Sequence, residues 1–457
     1  MKTYDLIIVG TGSGNSIPDE GFDGMSIAIV EEGRFGGTCL NVGCIPTKMF
    51  VYPAEVAAEA ADARRLGVEL DLKSVDWRDI QRRVFAEKVD PIAAGGEEYR
   101  RGDRTPNIDV YAGHAVFCGP RTLRVGDEEI AGRQIVLAVG SRPVIPEQIA
   151  SSGVRYRTNE DVMRLPERPE RLVIVGGGYI AMEFAHVFAS LGTKVTVLVR
   201  SGAALRHLDE ELVGRFNDAA RERFDIRYHT EVVSLADAAD GAVEVEVTGG
   251  ERITADEVLV ATGRVPNGDL LEAAAGGVEV DGGRVVVDEY GRSVSAEGVW
   301  ALGDVSSPYM LKHVANAEAR AVQHNLLHPG DLRRMPHEAV PAAVFTHPQI
   351  ASVGLTEQEA RESGRELTVK VQEYGDVAYG WAMDEHVGVV KLIADRGSGR
   401  LLGAHILGAQ APTLIQTEVT AMAFDLDVRE LARGQYWIHP ALPEVVENAL
   451  LGLDFAD

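Results

Sequence analysis

Cysteine is scarce in this chain: three residues in 457. Three thiols cannot staple a chain of that length, so a secreted disulfide scaffold is excluded. A reducing compartment and a catalytic or metal role are expected instead. A metal centre is disfavoured, because no further Cys or His cluster lies beside the cysteines at ligand spacing. Basic residues are also few. Lys and Arg number 45 against 70 Asp and Glu, for a net charge of −25. That balance supplies no basic stripe for nucleic acid and favours solubility. No apolar run approaches the ~20 residues of a membrane span. The N-terminal run Leu6-Ile7-Ile8-Val9 leads straight into a glycine turn, so it reads as a strand and not as a signal peptide. The expectation is a cytoplasmic protein with neither nucleic acid nor membrane as partner.

What the chain does have is glycine, 49 residues, much of it in tight turns. Two turns divide the sequence. Gly10-Thr11-Gly12-Ser13-Gly14-Asn15 follows a strand at Tyr4–Val9, and Gly176-Gly177-Gly178-Tyr179-Ile180-Ala181 follows one at Arg171–Val175. Each opens toward a helix and is followed by a second strand about 20 residues on, as a dinucleotide-binding βαβ unit requires. Two such units predict an enzyme of two dinucleotides. The first is imperfect. Asn15 stands where a third glycine is usual, and Pro18, Gly21 and Gly24 predict a short helix.

The most informative string is Gly36-Gly37-Thr38-Cys39-Leu40-Asn41-Val42-Gly43-Cys44-Ile45-Pro46-Thr47-Lys48. Cys39 and Cys44, just after the first unit, read as a redox-active dithiol. On a regular helix, residues five apart lie about 140° around the axis, so a disulfide between them needs an irregular turn; Asn41 and Gly43 can supply it. Pro46 suits a first helical turn, where the helix dipole lowers a thiol pKa. That helix is expected to kink or end near Pro53. Cys118 has no motif around it and reads as structural.

Other candidates sit at strand ends. Glu31, 21 residues beyond Gly10, is placed to accept ribose hydroxyls, with Glu32 the better candidate for a solvated surface acid. Asp304 closes the apolar run Trp300–Gly303 and is placed for a ribityl or phosphate-adjacent hydroxyl. Arg200 follows the strand Val195–Val199 where NAD-type sites carry an acid, and Arg206 lies six residues later. Two guanidinium groups suit a 2′-phosphate, so NADPH is expected over NADH. Near the C-terminus, His439-Pro440-Ala441-Leu442-Pro443-Glu444 pairs an imidazole with a carboxylate that can orient it and raise its pKa. Such an imidazole can protonate a leaving thiolate.

Together these strings resemble the pyridine nucleotide–disulfide oxidoreductases, the family of glutathione reductase and dihydrolipoamide dehydrogenase, across essentially the whole chain. The resemblance implies an α/β protein with two Rossmann-like dinucleotide-binding domains and a C-terminal α+β dimerisation domain. The expected boundaries are 1–149 and 268–338 for the FAD-binding parts, 150–267 for the NADPH-binding domain and 339–457 for dimerisation. It implies FAD on the first unit, with Gly10, Gly12, Gly14, Glu31, Thr38, Lys48, Gly140 and Asp304 around it. It implies NADPH on the second, with Gly176, Gly178, Tyr179, Ile180, Arg200, Arg206 and Gly263. Cys44 becomes the thiol nearest the flavin and Cys39 the interchange thiol. Lys48 pairs with Glu183 near the flavin, and Tyr179 gates the nicotinamide pocket. A homodimer is implied, His439 and Glu444 completing the partner's active site on a small-molecule disulfide.

Within the family, Tyr374–Met383 and Gly434–His439 resemble the branch that reduces mycothione, the disulfide of mycothiol. The acidic stretch Asp19–Asp23, where glutathione reductases carry basic residues, agrees with a substrate other than glutathione disulfide. Dihydrolipoamide dehydrogenase and glutathione reductase activities stay open, as does a non-catalytic flavin-binding redox sensor. Mercuric and large thioredoxin reductases use an extra C-terminal cysteine or selenocysteine, and Leu450–Asp457 contains neither.

Overall fold

The computed structural model describes residues 1–455; Ala456 and Asp457, the last two of the expected C-terminal domain, lie outside the described residues. The strand Lys2–Val9 shows why the first unit forms. Leu6 and Ile8 pack into one core while Ile7 and Val9 pack into another. Alternate side chains point to opposite faces, so a run apolar at every position is a strand covered on both sides. It pairs in parallel with Ile27–Glu31 and with Glu128–Leu137, setting Ile8 beside Ile29 and Val136. The seven-stranded sheet adds Ile108–Ala112 at one edge, Thr122–Val125 and Ala115–Gly119 at the other, and Val299–Ala301 beside Glu128–Leu137.

The second unit is a four-stranded parallel sheet, ordered Asp225–Tyr228, Lys194–Val199, Arg171–Val175, Glu257–Val260, with a three-stranded antiparallel sheet nearby. The chain crosses between the units twice. The crossings pair with each other, Ser141–Pro143 antiparallel to Arg264–Pro266. The C-terminal unit is a five-stranded sheet ordered Pro341–Val344, Ile350–Gly354, Leu401–Leu407, Val389–Asp395, Leu367–Glu373. Val390, Leu392, Ala404 and Ile406 pack under the helices Val428–Gly434 and Pro443–Leu451. Val389 and Leu407 turn the other way, into a core with Phe50 and Phe184. That core joins all three units. A polar contact runs along it: His347 bonds Glu55 and Asp62, each at 2.9 Å, with buried His186 3.4 Å from Glu55.

Several elements differ from expectation. The helix after the dithiol starts at Cys44 and runs through Pro53 to Asp62. Pro53 is half-buried while Phe50, Val51, Ala54 and Ala57 are buried, and that packed face outweighs the one lost backbone bond. Glu128–Leu137 extends well beyond its apolar end, because its polar first half pairs antiparallel with Thr122–Val125. Ala115–Gly119 had no sequence expectation. The segment that follows the last strand forms two short helices, Ala411–Leu414 and Gln416–Ala423. Among the described residues no helix is long and apolar enough to cross a membrane.

Candidate active site

The dithiol is built by a broken helix. Gly36 and Gly37 take φ of 99° and 64°, values that glycine adopts without strain, and start the short helix Gly37–Asn41. Asn41 Nδ2 donates to the carbonyls of Phe35 and Gly37 at 2.9 and 3.1 Å and anchors it. The chain then breaks at Val42 and Gly43. A Cβ on Gly43 would stand 2.8 Å from the Thr38 carbonyl oxygen, so the two helices approach through a bare backbone. The break offsets Cys39 and Cys44 from regular helical phase, and both side chains line the same cleft. Both are free thiols in this structure.

The two thiols are chemically unlike. The Cys39 S–H donates to Cys44, and this bond together with the Lys48 ammonium lowers the Cys44 pKa to about 7 despite burial. Its place at the first position of the Cys44–Asp62 helix acts in the same direction. Cys39, which holds the shared proton, is pushed up by that bond and by burial.

One turn along the same helix, Lys48 Nζ sits 2.7 and 2.5 Å from the oxygens of Glu183, which projects from the Tyr179–Ser190 helix of the second unit. Glu183 is 3% exposed and also accepts the Phe345 N–H at 3.0 Å. Tyr179, at the start of its helix, lines the cleft with Ile180. Burial raises the Tyr179 hydroxyl to about 12.

The cleft measures about 580 Å³ and is lined by Gly10, Gly12, Glu31, Thr38, Lys48, Gly140 and Asp304. Its walls fit a dinucleotide. A Cβ on Gly10 would meet the Ala138 carbonyl oxygen at 2.3 Å, and one on Gly37 would meet Gly12 Cα at 2.7 Å. The turn therefore presents bare backbone N–H groups, the chemistry that receives a diphosphate. Glu31 accepts the Thr11 N–H and hydroxyl at 2.9 and 2.6 Å and the Gly33 N–H at 2.9 Å, which fixes its carboxylate at the cleft edge. Gly14 is placed elsewhere than expected. It is buried under the turn, where a Cβ would press on Ile8 and Ala138 at 2.9 Å. It is a packing glycine and not a lining one.

In the second unit, Gly176 has φ 136° and a Cβ there would lie 2.2 Å from the Ala261 carbonyl oxygen; Gly178 is the residue before the Tyr179–Ser190 helix. Gly263 has φ 131° in the second crossing. Arg200 and Arg206 are exposed.

His439 Nδ1 lies 2.6 Å from Glu444 Oε1, with the imidazole side chain 70% exposed. The Ala441 N–H also binds Glu444, at 3.2 Å. The structure does not bring this dyad to the dithiol: among the described residues, no lining residue of the cleft comes from 339–455. Asp19–Asp23 does not line the cleft either. Cys118 is exposed. No cluster of His, Cys, Asp and Glu among the described residues could hold a metal ion.

Three cleft features escaped the sequence. Ser141 donates to Asp304 Oδ2 at 2.6 Å and receives Arg264 Nε at 2.8 Å, while Arg264 reaches Asn159 at 3.2 Å. The signal was there, because Ser141 and Arg264 sit inside the two crossings. Lys312 Nζ donates to Ser13 Oγ at 2.8 Å, and a single lysine opening a helix carries no such signal. Glu32, read as a surface acid, lines the cleft and meets His114 Nδ1 at 2.6 Å.

Residues 4–320 match the family described as pyridine nucleotide-disulphide oxidoreductase, and residues 340–450 match its dimerisation domain. The chain is 57% identical over 464 residues to mycothione reductase of Mycobacterium tuberculosis, covering 99% of this chain and 100% of that protein. It is 35% identical to glutathione reductase of Burkholderia cepacia, covering 96% and 97%. The fold superposes on the HOCl-induced flavoprotein disulfide reductase RclA from Escherichia coli with TM-score 0.86 and 28% identity, over 98% of this chain and 100% of that one.

Proposed function

The chain belongs to the pyridine nucleotide-disulphide oxidoreductase family, and on that premise we propose that the disulfide it reduces is mycothione and that its electron donor is NADPH. Membership makes it an FAD-dependent NAD(P)H disulfide oxidoreductase. The observation that carries the substrate is 57% identity along the full chain to a mycothione reductase, against 35% to a glutathione reductase. NADPH is supported by Arg200 and Arg206, two exposed guanidinium groups beside the second turn.

When bound, FAD supplies the relay that takes an electron pair from the nicotinamide to the Cys39–Cys44 disulfide. Gly10, Gly12, Thr38 and Asp304 would hold it in the cleft, with Lys48 and Glu183 at the junction of the two units. Reduction leaves two thiols of unequal acidity. Cys44 remains as a thiolate, held by the Cys39 S–H and Lys48. Cys39 gives up its proton to the His439 imidazole and attacks one sulfur of the substrate, forming a mixed disulfide and expelling the first thiolate. His439, oriented by Glu444, holds the proton that this thiolate takes. The Cys44 thiolate then attacks the Cys39 sulfur, the second substrate sulfur leaves as a thiolate that takes its proton from solvent, and the internal disulfide is restored. The dyad stands outside its own chain's cleft and belongs to a dimerisation domain, so it serves the cleft of a second copy.

The test is nicotinamide oxidation across mycothione and the disulfides of glutathione, lipoamide and coenzyme A, with both coenzymes. The highest kcat/KM is expected for mycothione with NADPH. A preference for another disulfide removes the substrate assignment and leaves the family intact. No steady turnover with any disulfide favours the redox-sensor reading.

A further inference from the structure

The two dinucleotide turns of this chain lead into unlike elements. After Gly176–Gly178 comes the twelve-residue helix Tyr179–Ser190, whose aligned peptides put about half a positive charge at its N-terminus. After Gly10–Gly12 comes only the three-residue 3-10 turn Gly14–Ser16. The next helical element is another such turn, Glu20–Phe22, before the strand at Ile27. Neither is long enough to carry a macrodipole.

Arg100 fills the place behind this turn. It is 8% exposed. Nε donates to Asn15 Oδ1 at 2.8 Å, and Nη2 donates to the carbonyls of Asn15 and Pro18 at 2.6 and 3.4 Å. All three acceptors are neutral. The nearby Asp19 carboxylate is turned instead to the Gly21 N–H and the Gln323 amide, each at 2.9 Å. Burial lowers the Arg100 pKa, and no carboxylate offsets it. A buried cation held only by neutral oxygens and the face of the Tyr99 ring, 5.4 Å away, is costly. Asn15, in the position of the missing glycine, is one of its grips.

We propose that Arg100 is a positioning residue for the cofactor diphosphate, supplying from behind the Gly10–Ser16 turn the positive charge that a helix N-terminus supplies in the second unit. Lys312, bonded to Ser13 on the cleft side, adds to the same field. The inference rests on the first unit being the seat of FAD.

The test is the rate of FAD release from the holoenzyme, read as the rise in flavin fluorescence, for the wild type, Arg100→Gln and Arg100→Lys. Gln keeps a donor for Asn15 and loses the charge; Lys keeps the charge and loses the fork. Arg100→Gln is expected to release FAD about tenfold faster than the wild type, with Arg100→Lys recovering most of the difference. Unchanged release from Arg100→Gln overturns the inference, as does equal impairment of both variants, which makes Arg100 a carbonyl cap and nothing more. Should Arg100→Gln not fold with FAD bound, Lys312→Gln carries the test: faster release supports the shared field, and unchanged release overturns it. A wild-type protein that holds no FAD removes the seat itself and is distinguishable from all of these.

Discussion

Lys48 and Glu183 face each other at 2.5 Å across two helices from different units, with the carboxylate side chain 4% exposed. The pair joins the helix that begins with Cys44 to the helix that begins with Tyr179. The ionic contact therefore links the two helices beside the core they share, Phe50 and Ala54 packing with Phe184 and Phe188. Its two members act oppositely on Cys44, Lys48 lowering its pKa and Glu183 raising it.

Lys48→Met is expected to raise the Cys44 titration midpoint from about 7 toward the ordinary thiol value of about 8.5. Glu183→Gln is expected to move it the other way. Thiolate absorbance of the reduced protein against pH reads both.

Cys39→Ala removes the hydrogen bond that contributes most to the low Cys44 pKa. The midpoint should rise further than in Lys48→Met. An unchanged midpoint would assign the shift to the helix terminus and Lys48 alone.

His439→Ala should lower disulfide turnover by about 10²–10⁴-fold, the worth of a positioned general acid, and leave flavin reduction by NADPH nearly intact. Stopped-flow bleaching of the flavin separates the two half-reactions. Equal loss of both would place His439 elsewhere in the cycle.

Arg200→Glu should reduce kcat/KM for NADPH by about tenfold, and that for NADH by much less. Comparing the two coenzymes on one preparation checks it.

Glu55 connects pH to stability. Burial pushes its pKa up, but the neighbouring His186 and His347 imidazoles outweigh this and bring it to about 2, below the usual 4.5. A depressed carboxylate pKa stabilises the fold above the unfolded value and loses that contribution as pH falls through the folded one. Denaturant midpoints should decline between pH 4.5 and about 2, and less steeply in Glu55→Gln. The size is about 2–3 kcal/mol.

The family, the mixed α/β architecture and the need for FAD and NAD(P)H were legible because each rests on local chemistry. A glycine turn must follow a strand, and Cys39 and Cys44 carry their own spacing. Long-range packing was less legible. Nothing in the sequence near Pro53 announces the buried face that carries the helix through it. The polar half of Glu128–Leu137 looks like a loop until Thr122–Val125 lies beside it. Arg100 and Lys312 act on a turn some 85 and 299 residues away in sequence, and no spacing rule connects them. Gly14 matched the turn pattern, yet its surroundings make it a spacer.

The bare edge of the cleft, with no side chain from the C-terminal unit, has a consequence for how activity depends on assembly. If His439 serves the cleft of a second copy, as proposed, a solitary chain would reduce its own thiols but lack an acid for a departing one. Dilution would then separate the two half-reactions before anything unfolds. Two dead copies, one missing Cys39 and the other His439, would recover a working centre simply by exchanging partners.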